Sequence, residues 1–194
     1  MPAEIRIYYE GDSLLREGLN AIFSEIRVRA AAKRCKLRFI PAKGTPSRDF
    51  DIALKANTAS WNILLLDSEG PDNGSLSASL CAKKGWGKSQ EDSIFWMVEM
   101  MESWFHADQD ALQSFFGRGF NRNALKANPE VEKIPKKDLR NGLKAATRDS
   151  SKGDNYDHKT SHGPKLLALI DPALVGKAAP NFRRMFEIVL ARLA

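Results

Sequence analysis

Cysteine is nearly missing from this 194-residue chain: Cys35 and Cys81 are the only two, too few for a disulfide framework. Free thiols fit a reducing compartment, so the cytoplasm is the expected location. Long apolar runs are missing as well. Stretches such as Ile63-Leu64-Leu65-Leu66 fall far short of the ~18 residues a bilayer span requires. The N-terminus lacks a basic stretch leading into an apolar segment, so neither membrane insertion nor secretion is expected. No phosphate-binding glycine loop of the Walker type occurs, and any ATP hydrolysis would have to come from a partner. Internal repeats and low-complexity tracts are also lacking.

What is present is ordinary globular material. At 43% hydrophobic and 28% charged residues the chain resembles a soluble domain rather than a disordered tail. A chain this long buries about 70% of its unfolded surface and needs no staples, so a single domain over 1–194 is the expectation.

Charge is unevenly spread. Thirty Lys and Arg against 24 Asp and Glu give a net charge of +6. From Arg27 to Arg48 there are eight basic residues and no acid. From Trp61 to Asp110 nine acids face only Lys83, Lys84 and Lys88. From Lys126 to Lys165 ten basic residues meet six acids. An acidic centre therefore lies between two basic flanks. If its carboxylates gather in space, a divalent cation is one way to balance them, and the flanks could steer a polyanion toward it. Scattering over a solvated surface is the plainer reading of the same counts.

Ile5, Ile7 and Tyr9 alternate with Arg6 and Tyr8, which reads as a strand ending at Glu10-Gly11. Asp12 or Ser13 then caps a helix whose stripe is Leu15, Leu19, Ile22 and Ile26. Lys36 to Pro41 is a second strand, and Phe50 to Asn57 a short helix or turn. Trp61 to Leu66 is apolar almost throughout, as expected of a central parallel strand covered on both faces. Ser75 to Lys84 reads as helix, Ile94 to Met101 as a buried strand, and Glu102 to Phe116 as one helix. Beyond Pro135 come helices over Pro135 to Arg148, Lys165 to Ile170 and Asn181 to Leu193, with a polar loop from Ser150 to Gly163. The fold class is α/β: a parallel-rich sheet flanked by helices over 1–116, with a mostly helical C-terminal extension over 117–194.

In an open parallel sheet, functional groups gather outside the carboxyl ends of the strands. Acids fall at three such ends: Glu10, the pair Asp67 and Glu69, and Glu99 with Glu102. Asp67 and Glu69 are two apart, so in an extended turn both side chains can point to one side and offer oxygens to a hard cation. Each motif alone is also a good turn sequence. Glu99 could instead face solvent on a strand edge, and it aligns with Glu102 only if the helix has already begun. Trp96, Trp104, Phe105, Phe115 and Phe116, beside Met97, Met100 and Met101, are core in character rather than a base-stacking platform. His158 and His162 are four apart, but no cysteine or acid completes a zinc site at standard spacing.

Glu-Gly after a first strand, with an acid-x-acid turn after a later apolar strand, resembles the Toprim domain of topoisomerases, primases and OLD-type nucleases. The segments Tyr9-Glu10-Gly11, Leu66-Asp67-Ser68-Glu69-Gly70-Pro71, Met97 through Asp108, and Asn128 through Lys136, with the Lys-rich loop before Leu166-Leu167, resemble the Toprim-like domain-of-unknown-function 4276 family of bacteria and archaea. The string Met101-Glu102-Ser103-Trp104-Phe105-His106-Ala107-Asp108 is the most specific part. Where Toprim enzymes usually have Asp-x-Asp, this chain has Asp67-Ser68-Glu69.

The resemblance implies a Toprim-like fold and a Mg²⁺- or Mn²⁺-dependent nuclease or nuclease-like effector acting on DNA or RNA, often beside an ATPase in anti-phage defence loci. It implies metal binding by Glu10, Asp67 and Glu69, with Glu10 and Glu102 as catalytic acid/base candidates. Lys152, His158, Lys159 and His162 are candidate phosphate contacts, because a lysine supplies a point charge and a protonated histidine a donor. The rival reading is a non-catalytic Toprim-like adaptor that binds an ATPase or nucleic acid.

Overall fold

Period-two alternation builds the sheet and divides the core between its two faces. The computed structural model describes residues 2–42, 45–152, 156 and 161–194. Strands β1 (Glu4–Tyr9), β2 (Lys36–Pro41), β3 (Trp61–Asp67) and β4 (Ile94–Met97) form one all-parallel sheet in the order β2-β1-β3-β4. Ile5, Ile7, Tyr9, Phe39, Ile63, Leu65, Phe95 and Met97 point to one face, where they join the larger apolar cluster. Tyr8, Leu64, Leu66, Ile94 and Trp96 point to the other. Apolar residues at both parities of β3 leave it buried from Asn62 to Asp67, as befits a strand covered on both sides.

The smaller face is closed by α3 (Pro46–Ala56) and α4 (Leu76–Lys84), which contribute Phe50, Ala53 and Cys81. The larger face carries α1 (Leu15–Ile22) and α2 (Ser24–Ala32), and then helices from the second half of the chain: α5 (Ser103–Ala107), α6 (Gln109–Phe116), α7 (Lys136–Thr147), α8 (Gly163–Leu169), α9 (Pro172–Ala178) and α10 (Pro180–Leu193). Residues from Ile5 to Leu193 share this one cluster. Trp104, with no exposed surface, meets Phe182 edge-on at 4.9 Å and Phe23 at 6.4 Å between ring centroids, pinning α5 between α1–α2 and α10.

Several boundaries differ from the sequence reading for identifiable reasons. The helix after β1 divides at Phe23 into α1 and α2. The strand expected to run to Met101 stops at Met97, because Glu99 takes a left-handed φ of 63° that no strand accommodates. The helix expected from Glu102 to Phe116 divides at Asp108, whose Oδ1 accepts from the Ala111 N–H at 3.0 Å and whose Oδ2 accepts from the Asp171 N–H at 2.9 Å. An acid inside an apolar helical pattern was the available signal for that N-cap. Helix α9 was missed, although Asp171-Pro172 is an N-cap followed by proline at the first helical position; Asp171 Oδ1 accepts from the Ala173 N–H at 2.8 Å.

Helices α1 and α8 touch through Gly18. A Cβ there would lie 2.4 Å from the Pro164 carbonyl oxygen and 2.6 Å from Leu167 Cβ. Alanine in a helix interior ordinarily gains up to about 1 kcal/mol over glycine. Here the obstacle is backbone that can yield only by moving a helix, so overpacking dominates. Gly18→Ala is expected to lower stability by about 1–3 kcal/mol, read as a lower urea midpoint. An unchanged or raised midpoint would show that α8 is not held against α1 in this way.

Candidate functional site

The strand order places a switch point between β1 and β3: the chain leaves β1 toward β2 on one side and continues from β3 to β4 on the other. In open α/β sheets, ligands bind outside the strands' carboxyl ends at such a point. Glu10 follows β1 and Asp67 ends β3, on either side of it. Tyr9 pairs with Leu65 and Asp67 with Met97, so the segments after β1, β3 and β4 leave the sheet along one rim.

The turn after β1 requires its glycine. Gly11 has φ 132°, outside the range of ordinary side chains, and a Cβ there would meet Leu15 Cδ1 at 2.4 Å. Glu10 stays tethered to the sheet through its N–H, which donates to the Leu65 carbonyl at 3.1 Å, while its side chain is exposed.

The loops after β3 and β4 are tied to each other. Ser68 N–H donates to the Met97 carbonyl at 3.1 Å, and the Glu99 N–H donates to Ser68 Oγ at 2.8 Å. Asp67, 9% exposed, shares the face of Leu65, and its Oδ1 accepts from the Met101 N–H at 2.9 Å. Glu69 and Glu99 both adopt left-handed backbone, φ 60° and 63°, at a cost of about 1 kcal/mol or more each. Lys136 holds both acids. Its ammonium pairs with Glu69, and its N–H donates to Glu99 Oε2 at 2.8 Å.

Glu102 lies at the head of α5 and is 1% exposed. Its Oε1 accepts from the Tyr156 hydroxyl at 3.1 Å, while its buried Oε2 has no hydrogen-bond partner among the described residues. Burial, then the Glu102 charge and hydrogen bond, then the Asp67 charge push the Tyr156 pKa well above the usual tyrosine range. The phenol therefore stays protonated and donates. Glu102 and Tyr156 line a cavity of about 540 Å³ together with Met100, Lys136, Lys137, Arg140, Asn141 and Lys144. One wall is thus carboxylate and phenol, and the other is the cationic side of α7.

The family model described as Domain of unknown function (DUF4276) matches residues 12–190. The chain belongs to that family. No curated protein matches it. Among solved structures, the C-terminal region of the Burkholderia pseudomallei OLD protein is similar over 100% of both chains, with a TM-score of 0.55 at 15% identity. A likeness at that identity speaks to fold: the family member described here has a Toprim-like α/β fold, a parallel sheet flanked by helices. No helix among the described residues is long and apolar enough to cross a membrane.

The residues singled out from sequence are placed as follows. Glu10, Asp67 and Glu69 lie along the rim just described, and Glu102 is on α5 facing the cavity. Among the described residues, no three His, Cys, Asp or Glu side chains are grouped closely enough to hold a metal ion by themselves. Lys152 is exposed, with its ammonium 4.2 Å from the centre of the Phe115 ring. His162 is 7% exposed and packs edge-on against Phe116 at 5.4 Å, inside an aromatic cluster rather than on an open loop. His158 and Lys159 lie outside the described residues. Sequence reasoning missed Lys136, Lys137, Arg140 and Lys144; their signal was the basic run from Lys126 to Lys165 read at helical spacing.

Behind Glu102 on the same helix, His106 is buried under α7, 3.6 Å from where a Gly142 Cβ would stand. Burial lowers its pKa to about 4, and the Leu139 backbone offsets only part of that cost. The unfolded chain gains a proton near pH 6.5 while the folded one does not until about pH 4, so stability is lost as pH falls through that window. The loss amounts to about 3 kcal/mol at 1.36 kcal/mol per pH unit. His106→Gln is expected to flatten the dependence of the urea midpoint on pH between 6.5 and 4, as measured by fluorescence. An unchanged slope would place the proton uptake elsewhere.

Proposed function

We propose that the chain is a divalent-metal-dependent phosphodiesterase of Toprim-like fold acting on nucleic acid. The observation that carries the reading is the rim itself. Acids leave β1 and β3 on either side of the switch point, and Glu102 lines a cavity whose other wall is cationic.

The donors fit a hard divalent cation. They are all carboxylate oxygens, the ligand type that Mg²⁺ and Mn²⁺ prefer. Asp67, with one further acid of the rim, Glu69 or Glu10, would hold Mg²⁺ or Mn²⁺. Mg²⁺ needs only one or two carboxylates when water and substrate phosphate complete its shell, so a three-acid cage is not required. When bound, the ion would neutralise charge on the phosphoryl and leaving oxygens.

The remaining work falls to the chain. The Met101 N–H fixes Asp67 in one orientation. The Tyr156 hydroxyl holds Glu102 by Oε1 and so fixes its carboxylate in the cavity wall, where the group would take or return a proton once substrate or water reaches it. With no phosphate loop of its own, the chain would rely on a separate ATPase wherever ATP is consumed.

The ion pair between Lys136 and Glu69 also favours a second reading, a non-catalytic adaptor, because it neutralises one acid without a metal. Cleavage of single- and double-stranded DNA and RNA in Mg²⁺ or Mn²⁺ separates the two. Asp67→Asn and Glu102→Gln are each expected to lower kcat by about 100-fold or more with the fold retained by circular dichroism, and EDTA to abolish activity. Equal rates in the wild type and both variants would overturn the hydrolytic reading. A well-folded wild type that is inert yet retains an ATPase partner would favour the adaptor.

A further inference from the structure

The face of α7 that looks onto the cavity carries Lys137, Arg140, Asn141 and Lys144, positions three and four apart and therefore stacked on one side of the helix. The opposite side is anchored in the core by Leu139, Leu143 and Ala146, each without exposed surface, so the cationic row is held rigidly. Lys136 at the helix start is engaged with Glu69. Lys137, Arg140 and Lys144 have no ion-pair partner among the described residues.

Three cations on one fixed helix face, with no ion pair among the described residues, suit an anionic ligand. Glu102, 1% exposed and with no hydrogen-bond partner for Oε2 among the described residues, stands in the wall facing this row. From Lys137 to Lys144 the row runs about 10 Å at 1.5 Å per residue, too long for one isolated phosphate and suited to consecutive phosphates of one strand. The cavity of about 540 Å³ is of the size that admits a single nucleotide-scale group rather than an intact duplex. Among the described residues its one aromatic lining residue, Tyr156, is 7% exposed with its hydroxyl committed to Glu102, so none of them presents a ring for base stacking.

We infer that α7 is a backbone track: Lys137, Arg140 and Lys144 bind successive phosphates of a single polynucleotide strand, without regard to sequence, and lead that strand to Glu102. The inference rests on the nucleic-acid reading above but not on hydrolysis.

The test is equilibrium binding of a short fluorescein-labelled single-stranded oligonucleotide to the full chain in EDTA, by anisotropy over a range of NaCl. The variants are Lys137→Gln/Arg140→Gln/Lys144→Gln and, as an equal loss of charge on α4 and its following turn, Lys83→Gln/Lys84→Gln/Lys88→Gln. Each released single-strand contact is worth about 0.7 in the slope of log K against log salt, so the α7 variant should be shallower by about 2 and about tenfold or more weaker at low salt. The α4 variant should keep both the slope and the affinity of the wild type. An α7 variant with wild-type slope, or an α4 variant that loses as much, overturns the track even if the wild type cleaves nucleic acid with metal. A wild type that binds, loses binding in the α7 variant and never cleaves would uphold the track while the hydrolytic reading fails. A wild type that binds no oligonucleotide overturns the track outright.

Discussion

The hydrogen bond from the Met101 N–H to Asp67 Oδ1 ties the end of β3 to the loop after β4, and the rest of the site follows from it. A carboxylate 9% exposed is costly unless donors meet it, so the chain beyond β4 must bring a backbone N–H to it before α5 begins. That requirement sets where α5 starts and hence where Glu102 stands. The left-handed backbone at Glu99 turns the strand back toward Asp67, and the Ser68 hydroxyl accepting from Glu99 secures the turn. Of the three described non-glycine residues with positive φ, Arg34, Glu69 and Glu99, two lie in the loops that carry these acids.

The second half of the chain supplies what the sheet lacks. Lys136 reaches Glu69 and Glu99, and Tyr156 reaches Glu102. Asp171 N–H meets Asp108, and Asn181 meets Glu132, which is 8% exposed and whose pKa burial raises. Buried acids are therefore answered by groups from distant segments. Only Glu102 Oε2 is left unanswered among the described carboxylate oxygens that are fully buried. An oxygen of this kind is either a cost the fold carries for no return or a place kept for a ligand.

Much of the sheet was legible in the sequence because β1 and β2 alternate with a period of two and β3 is a short apolar run bounded by turn residues. β2 lies where Lys36 to Pro41 alternate, and β3 extends the Trp61 to Leu66 run by one residue. Helix ends were less legible. Asp108 and Asp171 look polar in a row of apolar residues, and only their contacts reveal that they terminate one helix and begin the next. The acids at the strand ends could be named from turn chemistry and family likeness. The cationic side of α7 could not, because a charge run reads the same on a solvated face as on a cavity wall until tertiary packing decides which it is. Tyr156 had no signal at all, since a single tyrosine in a polar stretch does not announce a carboxylate partner 54 positions away.

On the rim, Asp67 is held by the Met101 N–H and Glu69 by the Lys136 ammonium, and on the proposed reading these carboxylates would grip a hard cation. Mn²⁺ binding followed by electron paramagnetic resonance probes that capacity without depending on substrate. Loss of the free-ion signal on titration into the wild-type protein is expected, with an affinity about tenfold or more weaker in Asp67→Asn. No uptake by the wild type, or equal affinity in the variant, would contradict a metal-holding rim at the switch point of the sheet.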